Sequence, residues 1–316
     1  MNAFVLSGGG NRGAVQAGAL LALLERNIRP NLIVGTSVGA LNGVALAANP
    51  TIEGARYIAE HWRRVRRTDI FPGNPLTVGW RLLMGRGSLH GREGFARFLR
   101  LMLPAGTERF ADLRIPCIVT ATELNSGRLR IFGTDPREPL ADAIMASTAI
   151  PPFFPPYRYG DEWLVDGAVV ANLPLAQAIS RGARHIYALN IVDQAAPPIA
   201  LSLGQTMSFA LSAMISRQDE QERQLIALGR RRGLAVHDIR LPVDRLLPYN
   251  DFSNSAALID AGYRATAAYL DMHMAPPAPR YAWLLTRLRE AVRALAARRA
   301  TATGFVIAVS RLGIRD

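Results

Sequence analysis

Lysine is absent from this chain: all 37 basic residues are arginine. That bias reads as GC-rich coding rather than as selection for guanidinium chemistry. Cysteine is nearly absent too. Cys117 stands alone, so no internal disulfide can form, which suits a reducing compartment. A long apolar run is also missing. Residues 30–52 carry no charge, but prolines, glycines and polar side chains interrupt them, which argues against a membrane-spanning helix. Met1–Leu6 is too short for the hydrophobic region of a signal peptide, and glycines follow at once. The expectation is a soluble chain of the cytoplasm, at most peripheral at the inner face of the membrane. There are no internal repeats and no aromatic–basic module, so no nucleic-acid partner is expected despite the charge.

What is present bounds the architecture. With 316 residues, 49% of them hydrophobic, the chain can bury one large core or two modest ones. The net charge of +12 is uneven. Residues 280–316 hold eight arginines against only Glu290 and Asp316. Pro276-Pro277-Ala278-Pro279 separates this segment from the rest. The expected organisation is a domain over 1–275, with a lid or cap within 68–110, and a basic amphipathic tail over 276–316. Tyr281 to Ala300 reads as a helix with Tyr281, Leu284, Leu285, Leu288, Val292 and Leu295 on one side. Two readings stand for it: a helix lying on an anionic membrane surface, or one packed on the domain.

The chain is organised around Leu32-Ile33-Val34-Gly35-Thr36-Ser37-Val38-Gly39-Ala40-Leu41. Three apolar residues read as a buried strand and Ala40 to Ala48 as a helix, with a serine at the sharp turn between them. This is the context of a nucleophile elbow. Gly35 and Gly39 let strand and helix approach closely, and the turn lifts the Ser37 hydroxyl above the sheet edge. The helix N-terminus beneath it suits a developing oxyanion.

A second glycine turn, Gly8-Gly9-Gly10-Asn11-Arg12-Gly13, follows the strand Ala3–Ser7 and opens a helix to about Arg26. Its spacing is formally that of a dinucleotide fingerprint. That reading wants an acidic residue at the end of the second strand, where this chain has Gly35-Thr36-Ser37. The better reading is an oxyanion site, in which consecutive glycines point backbone N–H groups into a cavity. Both turns would then face one crevice at the C-terminal ends of neighbouring parallel strands.

Further along, residues 53–67 read as a helix whose basic end, Arg63, Arg64, Arg66 and Arg67, is a solvated face in preference to a lipid or phosphate contact. Residues 68–91, rich in Gly, Pro and large apolar side chains, form the irregular part of the lid. Arg92 to Leu103 is an amphipathic helix. Pro116 to Thr122 and Arg128 to Phe132 make a hairpin, and Leu140 to Ser147 a helix. Phe153 to Tyr157 either lines an acyl-chain pocket or packs in the core. Trp163-Leu164-Val165 is a strand ending in Asp166-Gly167-Ala168. His185 to Val192 and Leu234 to Leu241 are strands, and 200–232 and 253–271 are helices.

A serine nucleophile needs a base. The five histidines are His61, His90, His185, His237 and His273. His185 begins a strand, at the wrong end for the crevice, and none of the five sits in a glycine turn or beside an acid in the context of the usual hydrolase histidine. Asp166, at the end of a sheet strand, is either a turn former or the missing base. A free Asp near pKa 3.9 is a weak acceptor for an alcohol proton, so the transfer needs the oxyanion to be stabilised in concert, and a water-excluding crevice would help by raising its basicity.

The three motifs Gly-Gly-Gly-Asn-Arg-Gly at 8–13, Gly-Thr-Ser-Val-Gly at 35–39 and Asp-Gly-Ala at 166–168 resemble those of the patatin-like phospholipases. The stretches 121–127, 146–151 and Asn172-Leu173-Pro174 are similar too. The resemblance spans residues 1–195, weakens afterwards, and has no counterpart in 276–316. It implies a three-layer α/β/α fold with a mostly parallel sheet and a Ser–Asp dyad. On these positions it makes Ser37 the nucleophile and Asp166 the base. Gly8, Gly9 and Gly10 would supply oxyanion N–H groups, with Arg12 and Gly13 completing that motif. It implies hydrolysis of phospholipids or other acyl-ester lipids with no metal or cofactor. Acyl transfer or thioester hydrolysis on the same dyad, and a non-catalytic fatty-acid or lipid-binding module, stand as alternatives.

Overall fold

The computed structural model describes residues 1–73, 88–194, 203–244 and 248–274. The tail 276–316 with its expected helix, and residues 74–87 of the expected lid, lie outside the described residues.

Short runs of Val, Ile, Leu and Phe form a sheet of eight described strands: β1 (Asn2–Leu6), β2 (Leu32–Thr36), β3 (Cys117–Glu123), β4 (Leu129–Phe132), β5 (Tyr157–Tyr159), β6 (Glu162–Asp166), β7 (His185–Gln194) and β8 (Ala235–Asp244). Their order is β5-β6-β3-β2-β1-β7-β8, with β4 on β3. The pairs β1–β2, β1–β7, β2–β3 and β7–β8 are parallel, and β3–β4, β3–β6 and β5–β6 are antiparallel. The described helices are α1 (Ala14–Glu25), α2 (Val38–Ala48), α3 (Ile52–Arg64), α4 (Arg67–Ile70), α5 (Glu93–Met102), α6 (Leu140–Ser147), α7 (Leu175–Ser180), α8 (Leu203–Arg231) and α9 (Ser255–His273).

Strand periodicity sorts side chains onto two faces. Ala3, Val5, Leu32 and Val34 turn to one face and pack with Leu175 and Ala178 of α7 and Ile226 of α8. Phe4, Leu6 and Ile33 alternate with them and point to the face that α1 and α2 cover. The result is the expected three-layer α/β/α arrangement around a mostly parallel sheet. One expected helix is split: 53–67 stops at Arg64, because Val65 is extended (φ −62°, ψ 136°), and a short α4 restarts at Arg67.

The register of β3 positions everything that follows. β4 and β6 both pair with Ala121 and Thr122, so they occupy opposite edges of β3. β2 and β4 share Val119 and Thr120, which puts β2 on the edge opposite β4. β2 and β6 therefore line the same edge of β3 from opposite ends. Their C-terminal ends meet there, with Thr36 opposite Thr120 and Asp166 opposite Ala121.

Over the α1 face, backbones touch. A Cβ on Gly18 of α1 would stand 1.8 Å from the Ile259 carbonyl oxygen, and one on Gly262 of α9 would stand 1.9 Å from that of Val15. A Gly18→Ala variant must push the two helices apart, so we expect a loss of about 1–3 kcal/mol, read as a lower urea midpoint. An unchanged midpoint would show that the contact is not a close one.

Candidate active site

Ser37 sits between β2 and α2 with φ 55° and ψ −126°, a left-handed backbone on a residue that has a side chain. Such strain costs on the order of 1–3 kcal/mol and persists only where the surroundings impose it. Here they do. A Cβ on Gly35 would lie 2.4 Å from Gly39 O, and one on Gly39 would lie 2.5 Å from Leu6 O, so both elbow positions exclude a side chain. The Ser37 amide donates to Ser147 Oγ at 2.7 Å, and Ser147 Oγ donates in turn to Thr120 O at 2.7 Å. The elbow is thereby pinned to β3 through the end of α6.

Asp166 faces it. Ser37 Oγ donates to Asp166 Oδ2 at 2.6 Å, and the other carboxylate oxygen, Oδ1, accepts the Ala168 amide at 2.8 Å. Thr122 Oγ1 donates to Asp166 O at 3.0 Å, which fixes the strand end from β3. Ser37 is 7% and Asp166 1% exposed. Burial raises the Asp166 carboxyl to about 7, against the lowering pull of the Ser37 hydroxyl and the Ala168 amide. Among the described residues no helix is long and apolar enough to cross a membrane, and no group of acids, histidines and cysteine is placed to hold a metal.

The glycine turn after β1 lies beside the elbow. A Cβ on Gly13 would stand 2.1 Å from Val38 Cγ2, and one on Gly8 would stand 3.2 Å from Ser37 Cβ. The turn is braced from several sides. Arg12 Nε donates to Gly9 O at 3.2 Å. Asn11 Nδ2 donates to Pro248 O and Asp251 O. Below it, Trp62 Nε1 donates to Asn42 Oδ1, Asn42 Nδ2 to Gln16 Oε1, and Gln16 Nε2 to Ser7 O. One expectation needs correcting. The Gly8 amide donates to Asn172 O at 3.1 Å, so it is engaged within the protein and is no oxyanion donor. The Gly9 and Gly10 amides have no acceptor among the described residues, and Gly10, at φ 59°, is exposed.

The histidines lie elsewhere. His61 Nδ1 pairs with Tyr57 O and His90 Nε2 with the Tyr249 hydroxyl. His237 lies in β8, the strand expected over Leu234 to Leu241, and stacks on Tyr187, the ring centroids being 4.8 Å apart. Phe154 is buried and stacks on Phe71, at 5.4 Å between centroids.

Ser147 and Asn172 lie in stretches that carry the resemblance but were given no role of their own, and Gln218 and Glu222 were not singled out at all. Gln218 and Glu222 hold the chain just after Asp166. Their only sequence signal is a pair of polar residues four apart on a helix that faces a sheet.

An α/β sheet carries a strained serine at a strand–helix turn, facing a buried carboxylate beside a glycine turn, which is the geometry of a nucleophile elbow. The patatin-like phospholipase model matches residues 4–179, more than half of the chain, and the chain belongs to that family. It is 28% identical over 195 residues to patatin-like phospholipase domain-containing protein 7 of Mus musculus, covering 60% of this chain and 13% of that protein. To lysophospholipase NTE1 of Debaryomyces hansenii it is 26% identical over 216 residues, covering 65% and 12%. The chain thus spans only a small part of the length of these relatives. Among solved structures, VipD from Legionella pneumophila aligns at a TM-score of 0.49 and 17% identity, covering 86% of this chain and 67% of that one.

The raised carboxyl has a consequence for stability. Between the unfolded value of 3.8 and the folded value of about 7, the folded state holds a proton on Asp166 that the unfolded state has lost. Over that window this group lowers the unfolding free energy by about 1.4 kcal/mol per pH unit as pH rises. Urea unfolding at several pH values should show Asp166→Asn gaining on the wild type from pH 4 to 7, with the gap constant above. A gap that does not change with pH would refute the raised value.

Proposed function

We propose that this chain is a serine acyl hydrolase of lipid esters that works through a Ser37–Asp166 dyad. The observation that carries the reading is the 2.6 Å hydrogen bond from the Ser37 hydroxyl to a buried carboxylate whose pKa is raised to about 7. At neutral pH such a carboxylate is ionised in a large fraction of molecules, yet it is far more basic than a free aspartate. In the acylation step Ser37 Oγ attacks the ester carbonyl while its proton passes to Asp166 Oδ2. The carbonyl electrons move onto the oxygen, where the amides of Gly9 and Gly10 and the N-terminus of α2 stabilise the charge. Collapse expels the alcohol, which takes the proton from Asp166, and leaves an acyl-serine. Water then repeats the sequence, and Asp166 accepts its proton. Asp166 Oδ1, tied to the Ala168 amide, keeps Oδ2 aimed at the serine. Membership of the patatin-like phospholipase family supports phospholipids or lysophospholipids as the substrate class.

On p-nitrophenyl butyrate, Ser37→Ala should abolish hydrolysis and labelling by a fluorophosphonate probe, and Asp166→Asn should lower kcat about 10²–10⁴-fold. Wild-type kcat/KM should rise with pH through a midpoint near 7, because the base must lose its proton. Hydrolysis retained by a folded Ser37→Ala protein would sink the proposal.

A further inference from the structure

We propose that Gln218 of α8 is a positioning residue of this site: its side-chain amide ties the turn after Asp166 to the glycine turn at Gly8–Gly10. The inference rests on the hydrolase reading for its kinetic consequence and on hydrogen bonds for the tie itself.

The chain of bonds is continuous. Asp166 Oδ1 accepts the Ala168 amide at 2.8 Å. Gln218 Nε2 donates to the carbonyls of Ala168 and Val169, at 3.0 and 2.8 Å. Gln218 Oε1 accepts the Asn172 amide at 2.9 Å. Asn172 O accepts the Gly8 amide at 3.1 Å. A primary amide offers two donors and an acceptor on one planar group, and here all three functions are used on one loop. One turn further along α8, Glu222 Oε1 accepts the Leu173 amide at 2.9 Å. On the opposite side of the loop, Thr36 Oγ1, next to the nucleophile, donates to Ala171 O at 2.8 Å. Residues 168–173 are therefore held between the elbow and α8. Without Gln218, three backbone groups lose their partners and Asp166 Oδ1 loses the fixed position of the amide that orients it. A base displaced by about 1 Å costs on the order of 10²-fold in rate.

The charged groups around this stretch are Asp219, Glu222 and Arg223 on α8, Asp238 and Arg240 on β8, and Asp166. A glutamate at 218 has the shape of the glutamine but donates only when protonated. Its acidic neighbours favour that protonated form. This gives a readout that loss of packing would not produce.

The experiment compares the wild type, Gln218→Ala and Gln218→Glu on p-nitrophenyl butyrate from pH 5 to 9, with amide hydrogen exchange on the same proteins. Gln218→Ala should lose about 10²-fold in kcat with KM little changed, and should exchange faster in peptides covering 2–13 and 166–173. Gln218→Glu should fall progressively further below the wild type as pH rises and approach it in acid. Equal kcat in wild type and Gln218→Ala would overturn the proposal, as would defects of Gln218→Ala and Gln218→Glu that stay equal at every pH. Should Ser37→Ala retain hydrolysis, the hydrolase reading fails. Exchange then decides the tie alone: faster exchange in both peptides upholds it, and unchanged exchange overturns it.

Discussion

Two strand ends abut on one edge of β3, and the site exists because of that junction. β2 arrives parallel and stops at Thr36, and β6 arrives antiparallel and stops at Asp166. Consecutive residues of β3, Thr120 and Ala121, receive them. A ladder register is discrete, so a slip of one residue would shift the carboxyl by about 3.3 Å and turn it to the other face. The separation of serine and carboxylate is thereby set by backbone hydrogen bonds rather than by flexible side chains. Ser147 and Thr122 add side-chain bonds to the same strand from the two sides of the junction.

Such a junction concentrates unfavourable features. It holds a left-handed serine, a buried carboxyl with a raised pKa and glycine turns that pass within contact of one another. Each costs stability, and the proposed dyad gives a reason for their coexistence in one small region. The rest of the fold compensates with an apolar core on both faces of the sheet and with a buried polar chain through Gln16, Asn42 and Trp62 that leaves few donors unmet beneath the glycine turn.

Most of the fold was legible in the sequence because its signals are local. Apolar runs such as Leu32–Val34 and His185–Val192 mark buried strands, and glycines punctuate the turns that follow them. Ser37 was legible for the same reason, since its strand and helix lie within ten residues. Asp166 was only one candidate until the motifs were read together, because a carboxylate before glycine usually makes a turn. Ser147 and Gln218 were illegible. They act 110 residues from Ser37 and about 50 from the Asp166 turn, and only the folded sheet brings them there. The glycine run could not reveal that the Gly8 amide is taken by Asn172, since that pairing also joins distant segments. The break at Val65 depends equally on tertiary context.

The proposed dyad joins residues 129 positions apart. A ribosome adding about 5–20 residues per second makes the elbow long before it makes the base. For roughly 6–26 s the serine is present without the carboxylate that would accept its proton. β6 cannot dock until β3 has formed, and the hairpin partner β4 is made in between. Under the proposed dyad, the nascent chain stays dormant until β6 docks on β3, with β7 and β8 still to be added to the sheet.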